Sequence, residues 1–311
     1  MHWPESILQQ TPVVSLEVKK QFEYYCDSMQ LPSSVISNLQ NIYLPLATWI
    51  ATKHQQQSII IGINGPQGSG KSSLCLLLKC LLELAFHKKV VNLSIDDFYL
   101  SRQARFKLSQ TIHPLLKTRG VPGTHDTQLL QQCLSQLRSP QAQNIRLPRF
   151  DKSLDDVAAQ SLWPEVKTPL DIILFEGWCV GAQAQPEDLL TNPINDLEQT
   201  EDADAQWRHY VNTQLKSHYQ NLFEQLDYLL MLKIPDFSFV KQWRALQEQQ
   251  LASTSVQTSK PHKIMDDAAI EKFIKYFERL TRWSQQTMPD YADLILALNE
   301  QHQIAQVEID N

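Results

Sequence analysis

The sequence has no basic excess, no paired cysteines and no apolar run long enough to cross a bilayer. Its net charge of −6 and pI near 5.8 argue against a nucleic-acid or anionic-membrane surface. The five cysteines (Cys26, Cys75, Cys80, Cys133, Cys179) are odd in number and scattered, without a C-x-x-C pair. That gives no zinc site and fits reduced thiols packed as small hydrophobes. Met1-His2-Trp3-Pro4-Glu5 lacks the basic start and long apolar run of a signal peptide. The one long apolar stretch, Leu74 to Phe86, carries Lys79 and Glu83 and is too short to span a membrane. It is expected to be a buried helix, with Lys79 and Glu83 marking its wet stripe at i,i+4. No internal repeat and no N-K-x-D base-reading element occur, which disfavours a GTPase. The expectation is a cytoplasmic protein with no nucleic-acid or membrane partner; the oligomeric state stays open.

What is present is organised around residues 59–73. A β-branched run, Ile59-Ile60-Ile61-Gly62-Ile63-Asn64, leads into Gly65-Pro66-Gln67-Gly68-Ser69-Gly70-Lys71-Ser72-Ser73, the G-x-x-x-x-G-K-[ST] spacing of a phosphate-binding loop. Glycines there let several backbone N–H groups converge on one phosphate chain. Lys71 is placed to reach the β- and γ-phosphates of ATP, and Ser72 to offer its hydroxyl to Mg²⁺. A helix opening at Ser72 aims its positive dipole end at the same anion.

Further along, Val90 to Ile95 reads as a second strand ending in Asp96-Asp97-Phe98-Tyr99. Carboxylates at the carboxyl end of a parallel strand sit where α/β folds bind ligands. Asp96 is the stronger candidate for a general base accepting a hydroxyl proton. The loop Arg119-Gly120-Val121-Pro122-Gly123-Thr124-His125-Asp126 brings Arg119, His125 and Asp126 together, as an acidic, hydroxylated substrate would require. Thr124 or Asp126 serves equally well as a helix cap. In Arg146 to Ser153, Arg149 and Lys152 read either as anion contacts or as a solvated loop. Leu170 to Trp178 reads as a buried third strand ending in Glu176, the place of an acid that supports Mg²⁺.

Strands follow at Tyr228 to Ile234, Asp293 to Leu298 and Ile304 to Ile309. Helices are expected over 16–28, 33–53 (kinked by Pro45), about 206–225, around Trp243-Arg244, and from Ile270 to Phe277. Arg244 reads as a lid arginine for the moving phosphoryl group or as a surface helix residue. The acidic stretch 183–206 is expected to be an insertion or mobile loop, and 247–263 to be mobile. Alternating strands and helices, phosphate loop first, predict an α/β P-loop fold. About five parallel strands form a doubly wound sheet over 58–311, and residues 1–57 form a helical extension packed on it.

These pieces resemble the P-loop kinases that include uridine kinase, phosphoribulokinase and pantothenate kinase, through Asp96 after the second strand and Glu176-Gly177 after the third. The closer likeness is to the D-glycerate 3-kinase family. It rests on Gly65 to Ser73, Ser94 to Tyr99, Arg119 to Asp126, Leu147 to Ser153, Phe175 to Gly181 and Trp243-Arg244. The resemblance implies MgATP-dependent phosphorylation of a small-molecule hydroxyl, with D-glycerate or a similar hydroxy acid as acceptor. Asp96 corresponds to the base, Lys71 to the phosphate clamp, and Ser72, Asp96 and Glu176 to the magnesium side. Tyr99, Arg119, His125, Asp126, Arg149 and Lys152 would face the substrate. One element departs from the pattern: a Gly-Asp-Arg usually follows the Lys-Ser, and here Lys152-Ser153 leads into Leu154-Asp155-Asp156-Val157. Other alcohols (nucleosides, pantothenate-like compounds, sugars) and a nucleotide-dependent switch ATPase are the alternative readings.

Overall fold

The computed structural model describes residues 3–246 and 267–309. Among the described residues the strands are β1 (Ile59–Asn64), β2 (Val90–Ser94), β3 (Asn144–Arg146), β4 (Phe150–Asp151), β5 (Asp156–Val157), β6 (Glu165–Lys167), β7 (Ile172–Gly177), β8 (Tyr228–Lys233), β9 (Leu294–Leu298) and β10 (Ile304–Ile309). Six of them make one sheet in the order β10-β9-β8-β1-β7-β2. Five are parallel, as the alternating pattern predicts. The sixth, β10, returns antiparallel along β9, because Asn299–Gln303 close a hairpin in which the Asn299 N–H donates to Gln303 and the His302 N–H to Asn299.

β1 and β7 are buried along their whole length, so both read as unbroken apolar runs. Ile61 and Ile63 face one core and Ile60 the other, the alternation that a strand covered on both sides imposes. Three acids set the register at the amino edge. Asp171, Asp227 and Asp293 each precede a strand, and each carboxylate takes a backbone N–H of the neighbouring chain: Lys89, Ile60 and Leu229, all at 2.7 Å. A strand start would otherwise leave those donors unpaired.

The phosphate-loop helix Lys71–Phe86 covers one face, and its Lys79–Glu83 pair lies at 3.7 Å. Helices of the first 57 residues pack over the same face, with Phe22, Cys26, Leu44, Leu46 and Ile50 fully buried in a cluster shared with Ile61, Leu78 and Leu82. Pro45 falls in the first turn of the helix Leu44–Lys53, directly after a π-helical turn, Leu39–Tyr43. The expected kink is thus absorbed by widening the turn before the proline. All five cysteines are free and buried.

The stretch 183–206 departs from the expected mobile loop. It holds a short helix, Asp196–Glu201, with Glu198 and Asp202 fully buried. Arg279, on the long helix Asp267–Thr287, grips both Glu198 carboxylate oxygens at 2.7 and 2.6 Å. Arg208 donates to Asp202 Oδ2 at 2.8 Å and to the Leu190 carbonyl at 2.7 Å. Its acidity is therefore matched by one arginine just past the stretch, Arg208, and one distant in sequence, Arg279, the latter a pairing that local composition does not reveal. The expectation for 247–263 lies outside the described residues.

Replacing Arg208 by Leu takes the guanidinium from the buried Asp202 carboxylate, leaving it two backbone N–H donors and His113 at 3.8 Å. The expected loss is about 3–5 kcal/mol of folding stability, read from the shift of the urea midpoint. An unchanged midpoint would mean that the acidic segment contributes nothing to the fold.

Candidate active site

The parallel register sets Ile63 beside Glu176 and Asn64 beside Gly177. The ends of β1 and β7 therefore open onto one place, at the carboxyl edge of the sheet. Buried Asn64 fixes the chain beyond β7 by donating its side-chain N–H groups to the carbonyls of Trp178 (3.2 Å) and Val180 (2.7 Å). Gly177 is required by contact: a Cβ there would lie 2.4 Å from Ile95 Cγ2. Its absence lets the turn after β2 close onto β7.

The phosphate loop follows β1. Gly70 has φ +90° and caps the helix Lys71–Phe86, and the Lys71 ammonium donates to the Pro66 carbonyl at 2.9 Å. Desolvation pulls Lys71 below the usual lysine range, and the negative charges of Glu176 and Asp96 push it back up. Ser72 donates its hydroxyl proton to Glu176 Oε1 at 2.9 Å. These two oxygens suit a hard cation such as Mg²⁺, which takes oxygen ligands and retains waters.

Asp96 and Asp97 sit on a single 3₁₀ turn, Ile95–Phe98. Asp96 accepts from the Tyr99 hydroxyl at 2.7 Å through Oδ1 and from the Lys152 ammonium at 2.7 Å through Oδ2. Burial alone would raise its carboxyl; Lys152 and Tyr99 outweigh that and hold it far below the usual carboxylate range. Asp96 also pushes Lys152 up, so the pair is charged at neutral pH. Asp97 belongs to a different cluster. Burial raises it, and Arg149, donating to Oδ2 at 2.9 Å, opposes the rise.

The loop after Arg119 is rebuilt around Thr124, whose hydroxyl accepts from the Gly120 N–H and donates to the Val121 carbonyl. The Trp178 indole donates to the Gly120 carbonyl at 2.9 Å, which ties this loop to β7. His125 is buried and stacks on Tyr99 with ring centres 4.5 Å apart. Its Nδ1 lies 2.6 Å from the Tyr219 hydroxyl, and that oxygen already accepts from the Gly123 N–H at 3.0 Å. Tyr219 and Nδ1 thus share one hydrogen bond, whose direction depends on whether the proton of the neutral imidazole sits on Nδ1 or on Nε2. That Nε2 is buried without a partner. Tyr219 lies in a π-helical turn, Leu215–Tyr219, and nothing in its spacing marks it in the sequence.

Three other sequence candidates sit differently from the expected substrate or lid positions. Asp126 accepts the Leu129 N–H and caps the helix Thr127–Leu137. Arg149 is held by Asp97 rather than by the Asp96 group. Arg244, in a helical segment over 238–246, lays its guanidinium over the Phe273 ring at 5.1 Å. The same segment runs against the phosphate loop, where a Cβ on Gly68 (φ +77°) would lie 3.0 Å from Trp243 backbone and Cβ atoms. Trp243 stacks on His302 at 4.3 Å, a neighbour of the loop that the sequence does not single out.

Comparison with known proteins follows the same outline. A family model described as the KAP family P-loop domain matches residues 39–279. The chain is 31% identical over 227 residues to the chloroplastic D-glycerate 3-kinase of Arabidopsis thaliana, covering 67% of this chain and 47% of that enzyme. It is 30% identical over 233 residues to an uncharacterized kinase of Schizosaccharomyces pombe, covering 72% of this chain and 80% of that protein. The solved D-glycerate 3-kinase of Cryptococcus neoformans var. grubii superposes with a TM-score of 0.66 at 26% identity, over 96% of this chain and 100% of that one.

Burial pushes the His125 imidazole down from 6.5 to about 4. The unfolded chain, with an ordinary imidazole, therefore binds a proton that the folded chain refuses between those values. Folding stability should decline as pH falls from 6.5 towards 4, by about 3 kcal/mol in total from this group. Urea titrations across that range should show the His125→Gln variant losing this component of the slope. An identical slope in both proteins would refute a neutral His125.

Proposed function

Because this chain belongs to the P-loop kinase family that contains the D-glycerate 3-kinases, we propose that it transfers the γ-phosphoryl group of ATP to a hydroxyl of D-glycerate or a closely similar hydroxy acid. The observation that carries this reading is the placement of Asp96. A carboxylate in contact with Lys152 at 2.7 Å lies near enough to the phosphate-loop lysine to act on its charge, and Arg119 lies near enough to act on Lys152.

The acceptor hydroxyl would approach Asp96, giving its proton to the carboxylate as its oxygen forms the new O–P bond. The bond between the γ-phosphorus and the bridging oxygen breaks, and ADP leaves with that electron pair. Phosphoryl transfer passes through a loose transition state with charge spread over the phosphoryl oxygens. Little basicity is then demanded of Asp96 early in the reaction, which suits a carboxyl held well down. Its main work is orientation, and orientation alone is worth many powers of ten.

Lys71 supplies positive charge where it develops on the transferred group. Mg²⁺, when bound, neutralises phosphate charge, and Ser72 and Glu176 are the residues that would hold it. Tyr99 keeps Asp96 from rotating away, and Lys152 keeps it ionised. The two cations around the acceptor position favour an acid over a nucleoside or a neutral sugar.

ADP production with D-glycerate should exceed the blank severalfold in the unmodified protein. Asp96→Asn should lower kcat by about 10²–10⁴ with little change in the KM for ATP. Lys71→Ala should lower it by about 10²–10³ or more. Turnover of D-glycerate at the unmodified rate in either variant would sink the assignment.

A further inference from the structure

Beyond the residues that face the phosphoryl group, a chain of three charged side chains runs from the protein interior to the acceptor side of the site. Arg105 is 1% exposed. Its guanidinium is fixed by the carbonyls of Leu100 (3.1 Å), Lys117 (2.9 Å) and Asp155 (2.7 Å), and by Asp155 Oδ2 at 3.0 Å. The other oxygen of that carboxylate, Oδ1, accepts from Arg119 Nη1. The Arg119 guanidinium lies over the Phe150 ring at 5.4 Å, and Phe150 packs edge-on against Tyr99 at 5.3 Å. Tyr99 in turn donates to Asp96. Arg119 is also close enough to Tyr99 and Lys152 to act on their charges.

The geometry is that of a mount. One nitrogen of Arg119 is committed to Asp155, one face of its plane lies over an aromatic ring, and no other hydrogen bond or ion pair engages the remaining N–H groups among the described residues. An arginine fork presents five donors in a fixed plane, so anchoring one edge orients the other. The remaining donors form a planar pair suited to a carboxylate. Asp155 is itself held in an unusual conformation, φ +55°. That backbone is tolerated best by Gly, Asn and Asp, and it lets the residue give both its carbonyl and its carboxylate to Arg105. The position lies in the Leu154–Val157 element that departs from the family pattern by lacking an arginine. Arg119, coming from another loop, supplies a cation at that element.

We infer that Arg119 binds the carboxylate of the acceptor acid, and that Asp155, seated on the buried Arg105, is the positioning residue that holds it for that contact. The inference rests on the kinase reading above and deepens it by assigning the group that distinguishes an acid acceptor from a neutral alcohol.

The test is a double-mutant cycle in the full chain, with D-glycerate and ATP as substrates. Asp155→Asn keeps a residue suited to φ +55° and removes the charge that grips Arg119. It should raise the KM for D-glycerate about tenfold or more, leaving kcat and the KM for ATP within about threefold. Arg119→Gln should raise the same KM at least as much. Adding Asp155→Asn to Arg119→Gln should bring little further change, because Asp155 acts through Arg119. Because Asp155→Asn also removes the carboxylate paired with buried Arg105, Arg119→Lys serves as the second variant. It leaves that pair intact, keeps the charge but not the planar fork, and should raise the same KM; an unchanged KM there would overturn the carboxylate contact.

Independent, multiplying effects of the two substitutions, an unchanged KM for D-glycerate in Asp155→Asn, or an equal rise in the KM for ATP would overturn the relay. The unmodified protein reports separately on the kinase reading. If it fails to phosphorylate any carboxylate-bearing alcohol, the functional assignment falls first and the relay with it.

Discussion

The pairing of β1 with β7 is the constraint from which the site follows. Two strands far apart in sequence run parallel and in register, Ile63 against Glu176, so the phosphate loop after one and the acid ending the other meet at the same edge. The Ser72–Glu176 hydrogen bond closes that meeting across the first turn of the phosphate-loop helix. It links the helix that covers the sheet to the strand beneath it, so the helix N-terminus points at a fixed spot. Every other group at the site is placed relative to that junction: Asp96 by the turn that packs against Gly177, the Arg119–Asp126 loop by Trp178, and the crossover beyond Trp178 by Asn64.

Charge at the site is arranged in layers rather than as one cluster. Lys71 feels Glu176 and Asp96; Asp96 is shared between Lys152 and Tyr99; Asp97 is withdrawn into a separate pair with Arg149; and Asp155 couples Arg105 to Arg119. Two neighbouring aspartates in sequence thus have opposite fates. Burial wins for Asp97 and raises it, whereas a direct ammonium contact wins for Asp96 and lowers it. A single 3₁₀ turn suffices to separate them, because consecutive side chains on so tight a turn project in different directions. The neutral His125 adds hydrogen-bonding capacity without adding charge, its Nδ1 engaged by Tyr219 from a helix on the other side of the loop.

The sheet and its order of elements were largely legible in the sequence because β1, β7, β8 and β9 are apolar runs of strand length, separated by helix-length segments. The phosphate loop, Asp96, Glu176, Arg119, His125 and Lys152 were legible as candidates because each sits at a strand end or in a Gly- or Pro-bounded loop. The structure brings those residues to one region. What could not be read locally is whatever depends on partners far along the chain. The acidic stretch 183–206 resembles solvated coil until Arg279, from the helix Asp267–Thr287, is placed against it. The choice of Asp126 between cap and ligand, and of Arg149 between anion contact and structural pair, turns on a single hydrogen bond each. Tyr219, Arg105 and Asp155 carried no local signal, since a helical tyrosine, a helical arginine and a loop aspartate are common everywhere.

If Arg119 meets the acceptor acid as proposed, the aspartate at position 155 offsets the arginine missing from its element. A guanidinium carried on that element would bring its own charge but no second side chain behind it. Asp155 instead borrows rigidity from Arg105, whose bonds to three backbone carbonyls tie it to three separate stretches of chain, and passes that rigidity to an arginine supplied from a loop already braced by Thr124 and Trp178. Orienting a charged donor in advance lowers the entropy lost when it meets its partner, and a stacked, singly tethered arginine keeps enough free edge to make the contact. On the proposed reading, acceptor recognition would depend less on which residue type follows Lys152-Ser153 than on whether the fold can hold one guanidinium plane still near Tyr99 and Lys152.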